Sequence, residues 1–141
     1  MTTEGAQGIC PDGWHVPSDN EWKILEGTVD SQYPVGDPEW ENTGWRGLDA
    51  GGNLKEAGTA HWGSPNTGAT NSSGFTGLPG GYRVNSNGSF SYLSLSSAFW
   101  SSSQNGTNDA WYRYLSNASA SVFRGYIGKG YGYSVRCLKD N

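Results

Sequence analysis

The chain has 141 residues, enough for one domain with its own core, and only 16% of them are charged, while 7 Trp, 8 Tyr and 22 Gly enrich it in rings and turns. A disordered chain shows the reverse balance. The formal net charge of -4 comes without a Lys/Arg run, which excludes nucleic acid as the expected partner, and no apolar run approaches the ~18 residues that direct membrane insertion needs.

The first element is carried by "GICPDGWHVPSDNEWKILEG". Trp14, His15 and Val16 read as a short strand ended by Pro17. Ser18 and Glu21 form a capping box, Asp19 and Glu21 suit the first turn, and Trp22, Ile24 and Leu25 supply an apolar stripe up to a stop at Gly27. "TVDSQYPVGDPEWENTGWRG" reads as a loop. A short second helix is expected from about Gly47 to Glu56, weakened by Gly51 and Gly52. "GSPNTGATNSSG" is polar loop.

From Phe75 onward strands are expected in "GFTGLPGGYRV", "GSFSYLSL", "AFWSSSQ", "AWYRYLS", "SVFRGYI" and "YSVRCLK", with Asn87-Gly88 as a type I′ hairpin turn. The order of helix, helix and antiparallel strands predicts an α+β domain spanning 1–141, with helices segregated from the sheet and no internal boundary.

Cys10 and Cys137 stand near opposite ends. They form either one bridge around nearly the whole chain or two buried thiols, and their spacing excludes a CxxC redox or zinc motif. His15 and His61 have no Cys or His partner at metal spacing, and both read as structural or merely exposed. Glu39 and Glu41 flank Trp40 in what reads as a solvated loop. No catalytic set, metal site or cofactor is expected, and the chain is not expected to be an enzyme.

The remaining signal is aromatic. Alternation in "WYRYLS" places Trp111, Arg113 and Leu115 on one face and Tyr112, Tyr114 and Ser116 on the other. In "SVFRGYI", Val122, Arg124 and Tyr126 alternate with Ser121, Phe123, Gly125 and Ile127. Rings mixed with Ser, Gly and Asn suit a contact surface, because rigid rings give area at low entropy cost and small polar residues adapt.

Four blocks, "GICPDGWHVPSDNEW", "GFTGLPGGYR", "FWSSS" and "YGYSVRCLKD", resemble in order the Fibrobacter succinogenes major paralogous domain. That resemblance implies a C-type-lectin-like fold related to formylglycine-generating enzymes: two helices on a twisted antiparallel sheet, loop-rich. It also implies the Cys10–Cys137 bridge and a bacterial secreted or cell-surface protein or lipoprotein. The related enzymes use further cysteines that this chain lacks, so their activity is not carried over.

The tail "WYRYLSNASASVFRGYIGKGYGYSVRC" is similar to variable proteins of diversity-generating retroelements, in which Asn codons of AAC type become NNC. Framework positions by this resemblance are Arg113, Leu115, Val122, Arg124, Lys129, Gly132, Ser134 and Val135. The implied ligand-binding set is Tyr112, Tyr114, Ser116, Asn117, Ser119, Ser121, Phe123, Gly125, Tyr126, Ile127, Gly128, Gly130 and Tyr131. Apart from Tyr112, each stands at a position that the resemblance implies to be variable and that an NNC codon can encode, and none is Trp, Lys, Met, Gln or Glu. The expected function is recognition or adhesion towards a protein or glycan ligand on another cell or phage, and the alternative is a fixed-specificity carbohydrate-binding domain.

Overall fold

In a computed structural model of the protein, which describes residues 3–141, eight strands accompany two α-helices and one 3-10 turn. Strand β1 is Trp14–His15, helix α1 Asp19–Val29 and β2 Gly44–Arg46, with the 3-10 turn Pro38–Glu41 between the last two; helix α2 is Ala50–Leu54. Then come β3 (Tyr82–Arg83), β4 (Phe90–Ser91), β5 (Ser96–Asn105), β6 (Asp109–Ser116), β7 (Val122–Gly128) and β8 (Leu138–Lys139). The main sheet has the order β2-β7-β6-β5 with antiparallel neighbours, which is an α+β arrangement.

The two ends of the chain meet. β1 pairs with β8, and Cys10 is bonded to Cys137 across 127 residues, so the bridge and not the free-thiol alternative is present. His15 ties the same junction, its Nδ1 2.6 Å from Asp140 and its Nε2 3.0 Å from Glu21.

Helix α1 begins with the capping box: Ser18 accepts from the Glu21 amide, and the Glu21 carboxylate accepts from the Ser18 amide. Two details differ from the sequence reading. The helix runs past Gly27 to Val29, because the missing Cβ leaves room for the Pro34–Val35 backbone, which a side chain would meet at 2.6 Å. Ile24 is exposed, and Glu26 takes the inward place next to Trp22 because two arginines wait there.

The second helix is shorter than expected. Gly51 and Gly52 cost helix propensity, yet a Cβ on either would overlap the backbone of Ser121 or Gly68. Their absence lets the β6–β7 connection rest on the helix, with the Gly52 amide donating to the Ala120 carbonyl at 2.9 Å.

The strand expectations for "GFTGLPGGYRV" and "YSVRCLK" shrink to two-residue pieces. Segment 132–134 joins the sheet only through single bridges to Arg83 and Phe99. At the β3–β4 turn Gly88 has a positive φ of 71° but Asn87 does not, so a type I′ turn is not formed; a wider loop closes through the Val84 amide to the Ser89 carbonyl. The core packs Trp22, Phe75 and Phe99 at centroid distances of 5.6–5.9 Å, with Trp40, Trp62, Leu54, Leu115 and Val122 around them.

A charged layer sits between α1 and the sheet. Arg113 on β6 and Arg124 on β7 face each other in register. Arg46 from β2 lies 2.6 Å from Glu26, and Arg113 bonds both Glu26 at 2.5 Å and Asp19 at 2.8 Å. Arg124 holds Asp19 through two bonds of 3.0 and 2.7 Å. Such a cluster persists in a core only when its hydrogen bonds are satisfied. Its consequence for function is orientation: with Arg113 and Arg124 pointing to the helix, strand alternation sends their neighbours outward.

Candidate functional site

Those neighbours form one aromatic surface on the sheet face away from α1. Trp45, Phe123 and Tyr114 stand in a single cross-strand row of β2, β7 and β6. The Trp45 ring meets Phe123 at 5.5 Å and Tyr114 at 6.1 Å. The next row places Tyr112 between Trp100 and Gly125. Gly125 is buried, and a Cβ there would stand 2.8 Å from the Phe123 ring and 3.2 Å from Tyr112, so its bareness lets the two rings approach at 6.0 Å.

A second wall comes from outside the main sheet. Tyr131 and Tyr133 flank Gly132, which exchanges two backbone hydrogen bonds with Arg83 at 2.8 and 2.9 Å. A side chain at 132 would strike Arg83 Cβ, so the glycine permits the close approach. Tyr133 then lies 4.6 Å from Trp100, 5.1 Å from Tyr112 and 5.6 Å from Tyr82. Tyr92 stacks on Tyr82 at 5.6 Å with a 14° interplanar angle. The two walls enclose a groove of about 330 Å³ lined by Trp45, Tyr82, Tyr92, Tyr112, Tyr114, Phe123, Ile127, Tyr131 and Tyr133.

The groove is uncharged. Burial first, then the neighbouring phenols, push Tyr82, Tyr112 and Tyr133 above the usual tyrosine value. Their hydroxyls therefore stay neutral and can both donate and accept.

The structure divides the residues singled out from the sequence. Tyr112, Tyr114, Phe123, Ile127 and Tyr131 come together in the groove, with Gly125 beneath them. Tyr126 does not join them. It lies on the opposite face, 52% exposed and 5.2 Å from Trp111, whose ring carries the Arg124 guanidinium at 3.9 Å. This corrects its grouping with Tyr131, and the reason is the strand alternation that already separates residues 123 and 126. Gly128 pairs with Asp109, and Gly130 faces the Asn85 side chain.

Ser116, Asn117, Ser119 and Ser121 belong to the far end of the sheet, at the β6–β7 connection. Asn117 donates to Ser64 O at 3.1 Å, and Ser121 Oγ donates to Gly47 O at 3.0 Å. Beneath them lies Lys55, fully buried, whose Nζ donates to the carbonyls of Thr67, Ser116 and Ser119 at 2.8–2.9 Å. Burial lowers its pKa to about 8. The scaffold thus grips this connection by its main chain as well as by the Asn117 and Ser121 side chains.

Four groove residues lay outside the sequence reading: Trp45, Tyr82, Tyr92 and Tyr133. Trp45 sits on a three-residue strand too short to display alternation. Tyr92 had one visible clue, its place in the apolar run "FSYLSL", whose Phe90, Leu93 and Leu95 the structure leaves exposed.

His61 pairs with Glu56, Glu41 with Lys23, and Glu39 with the Gly47 amide. Among the described residues no group of three His, Cys, Asp or Glu is arranged to hold a metal, and no helix is long and apolar enough to cross a membrane.

Searches of curated proteins and of solved structures return no match. A family model described as the Fibrobacter succinogenes major domain matches residues 1–139. The chain, matched over nearly its whole length, belongs to the Fibrobacter succinogenes major domain family.

Proposed function

We propose that the protein is a non-enzymatic recognition domain of C-type-lectin-like fold, displayed on a bacterial surface or secreted, that binds its ligand in the aromatic groove. The observation that carries this reading is the groove itself: an uncharged, concave cluster of rings between the main sheet and a second aromatic wall, which the described residues leave open. Monomeric domains rarely leave such area open without a partner for it. Paired termini, a terminal disulfide and long loops between helices and sheet agree with the lectin-like topology, and the disulfide suits an oxidising compartment.

Diversification of the tail by a retroelement is part of the proposal. Of the eight framework positions, Arg113, Leu115, Val122 and Arg124 are buried, Lys129 and Val135 are half-buried and Gly132 and Ser134 are exposed, whereas of the implied variable positions only Gly125 is buried. Part of the scaffold's hold on the variable connection runs through its carbonyls, via Lys55 and the Gly52 amide, contacts indifferent to side-chain identity, beside the side-chain bonds of Asn117 and Ser121.

The test is binding of labelled protein to intact bacterial cells. Saturable binding that unlabelled protein competes away, and that unlabelled Tyr131→Ser does not, supports the reading. Binding that is unsaturable, or equally competed by the variant, contradicts it. NNC codons at the variable positions beside a matching template repeat are the expected genetic signature.

A further inference from the structure

None of the side chains lining the groove is charged. An anionic ligand would find no Lys or Arg, and a cationic one no carboxylate to fix it. The volume, about 330 Å³, lies at the lower end of small-ligand sites and not on the scale of a protein face. Tyr133 meets its neighbours at steep angles, 76° to Tyr82 and 62° to Tyr112, while Tyr82–Tyr92 and Tyr112–Phe123 are stacked, which makes a faceted floor and not a row of parallel slots of the kind a proline-rich helix fills.

A pyranose ring answers these features. Its face of C–H groups is weakly positive and docks on the negative face of an aromatic ring. Its edge hydroxyls need partners that donate and accept at once, as a neutral phenol does.

A second observation marks the groove's lip. Tyr92 has a φ of 61°, in the left-handed region that costs a bulky residue energy. It is held there by amides of Leu95 and Ser96, both donating to its carbonyl at 3.0 Å. The strained backbone places its ring flat on Tyr82. Strain retained at a groove edge, outside the tail, points to a fixed role for this ring.

We propose that the groove takes a neutral pyranose chain, stacked on the rings that lie outside the variable positions: Trp45, Tyr82, Tyr92 and Tyr133. This rests on the recognition reading above and divides the labour. These rings, with Tyr112 beside them, set the ligand class, and the variable Tyr114, Phe123 and Tyr131 select the sugar within it.

The experiment is calorimetric titration of the whole protein with neutral cello-, xylo-, manno- and chito-oligosaccharides. Polygalacturonate fragments form an anionic arm and a proline-rich peptide a third. The expected result is saturable binding of at least one neutral oligosaccharide with a Kd of ~1 mM or tighter, insensitive to salt because no charge is engaged. Tyr92→Gly should weaken it about tenfold or more. Glycine is at ease at positive φ, so this variant removes the ring and keeps the fold, and its thermal unfolding is recorded to verify that. Tyr126→Ala, on the other face, should bind as the wild type does.

Binding of the anionic or peptide arm alone overturns the proposal, as does neutral binding that Tyr92→Gly leaves intact. Absence of neutral binding overturns it too. In that case saturable cell binding that protease treatment of the cells abolishes would leave the recognition reading standing, whereas loss of cell binding altogether removes both.

Discussion

Replacing Asp19 by Asn tests the charged layer that orients the groove. Burial works to raise the Asp19 pKa, but hydrogen bonds and charge from Arg124 and Arg113 outweigh it and hold the group at about 2, against 3.8 for a free side chain. At ~1.36 kcal/mol per pH unit this amounts to about 2 kcal/mol of stability at neutral pH. The side chain is only 10% exposed, so solvent screening removes little of it. Because the folded value lies below the unfolded one, the contribution is complete above about pH 4 and drains away as pH falls towards about 2.

Asp19→Asn removes the charge and keeps the shape. It leaves Arg113 and Arg124 facing each other with Glu26 as the remaining anion in the layer. Breaking a buried pair costs roughly 3–5 kcal/mol, so urea unfolding followed by tryptophan fluorescence should show a loss of about 3 kcal/mol at neutral pH. The gap between wild type and variant should then narrow by about 1.5 kcal/mol between about pH 5 and 2.5, since the wild type protonates and the variant does not. A variant within about 0.5 kcal/mol of wild type at neutral pH, or a gap that stays constant with pH, would refute the reasoning.

Replacing both Cys10 and Cys137 by Ser opens a loop of 127 residues and should cost up to about 5 kcal/mol in chain entropy, read as a drop in denaturation midpoint that a reductant reproduces in the wild type. Lys55→Met takes the shared donor from three carbonyls and should destabilise by about 3 kcal/mol, with faster amide exchange at residues 116–121 as the local readout. Hydrogen bonds to Asp140, then to Glu21, raise the His15 pKa, so its contribution is full below about pH 6.5 and is lost as pH rises through the folded value. His15→Gln should therefore flatten the thermal-unfolding profile between about pH 6 and 8.

Helix α1 was legible because a capping box needs only four adjacent positions, and they are all present at Ser18–Glu21. The alternation of β6 and β7 was legible for the same local reason: Arg113 and Arg124 fall inward and Tyr112, Tyr114 and Phe123 outward, as period two requires. What stayed hidden depends on partners far along the chain. Nothing local marks Glu26 as an inward residue, because its two guanidiniums come from residues 46 and 113. Gly27 looked like a stop because Val35, which needs its bare Cα, lies in a loop. Half of the groove was invisible for the same cause: Trp45 pairs with Phe123 across 78 positions, and Tyr82 reaches Tyr133 only through the Arg83–Gly132 bridge. Tyr126 entered the set through the resemblance of the tail, although its alternation with Phe123 already placed it on the other face.

The most direct test of the central claim compares the two faces of one strand pair. Tyr131→Ala removes a ring from the groove, and Tyr126→Ala removes one from the opposite face. Both are measured for saturable binding to the same cells, with thermal unfolding alongside. Tyr131→Ala should weaken binding about tenfold or more at nearly unchanged unfolding temperature, and Tyr126→Ala should bind as wild type. Equal losses from both, or a loss confined to Tyr126→Ala, would contradict it.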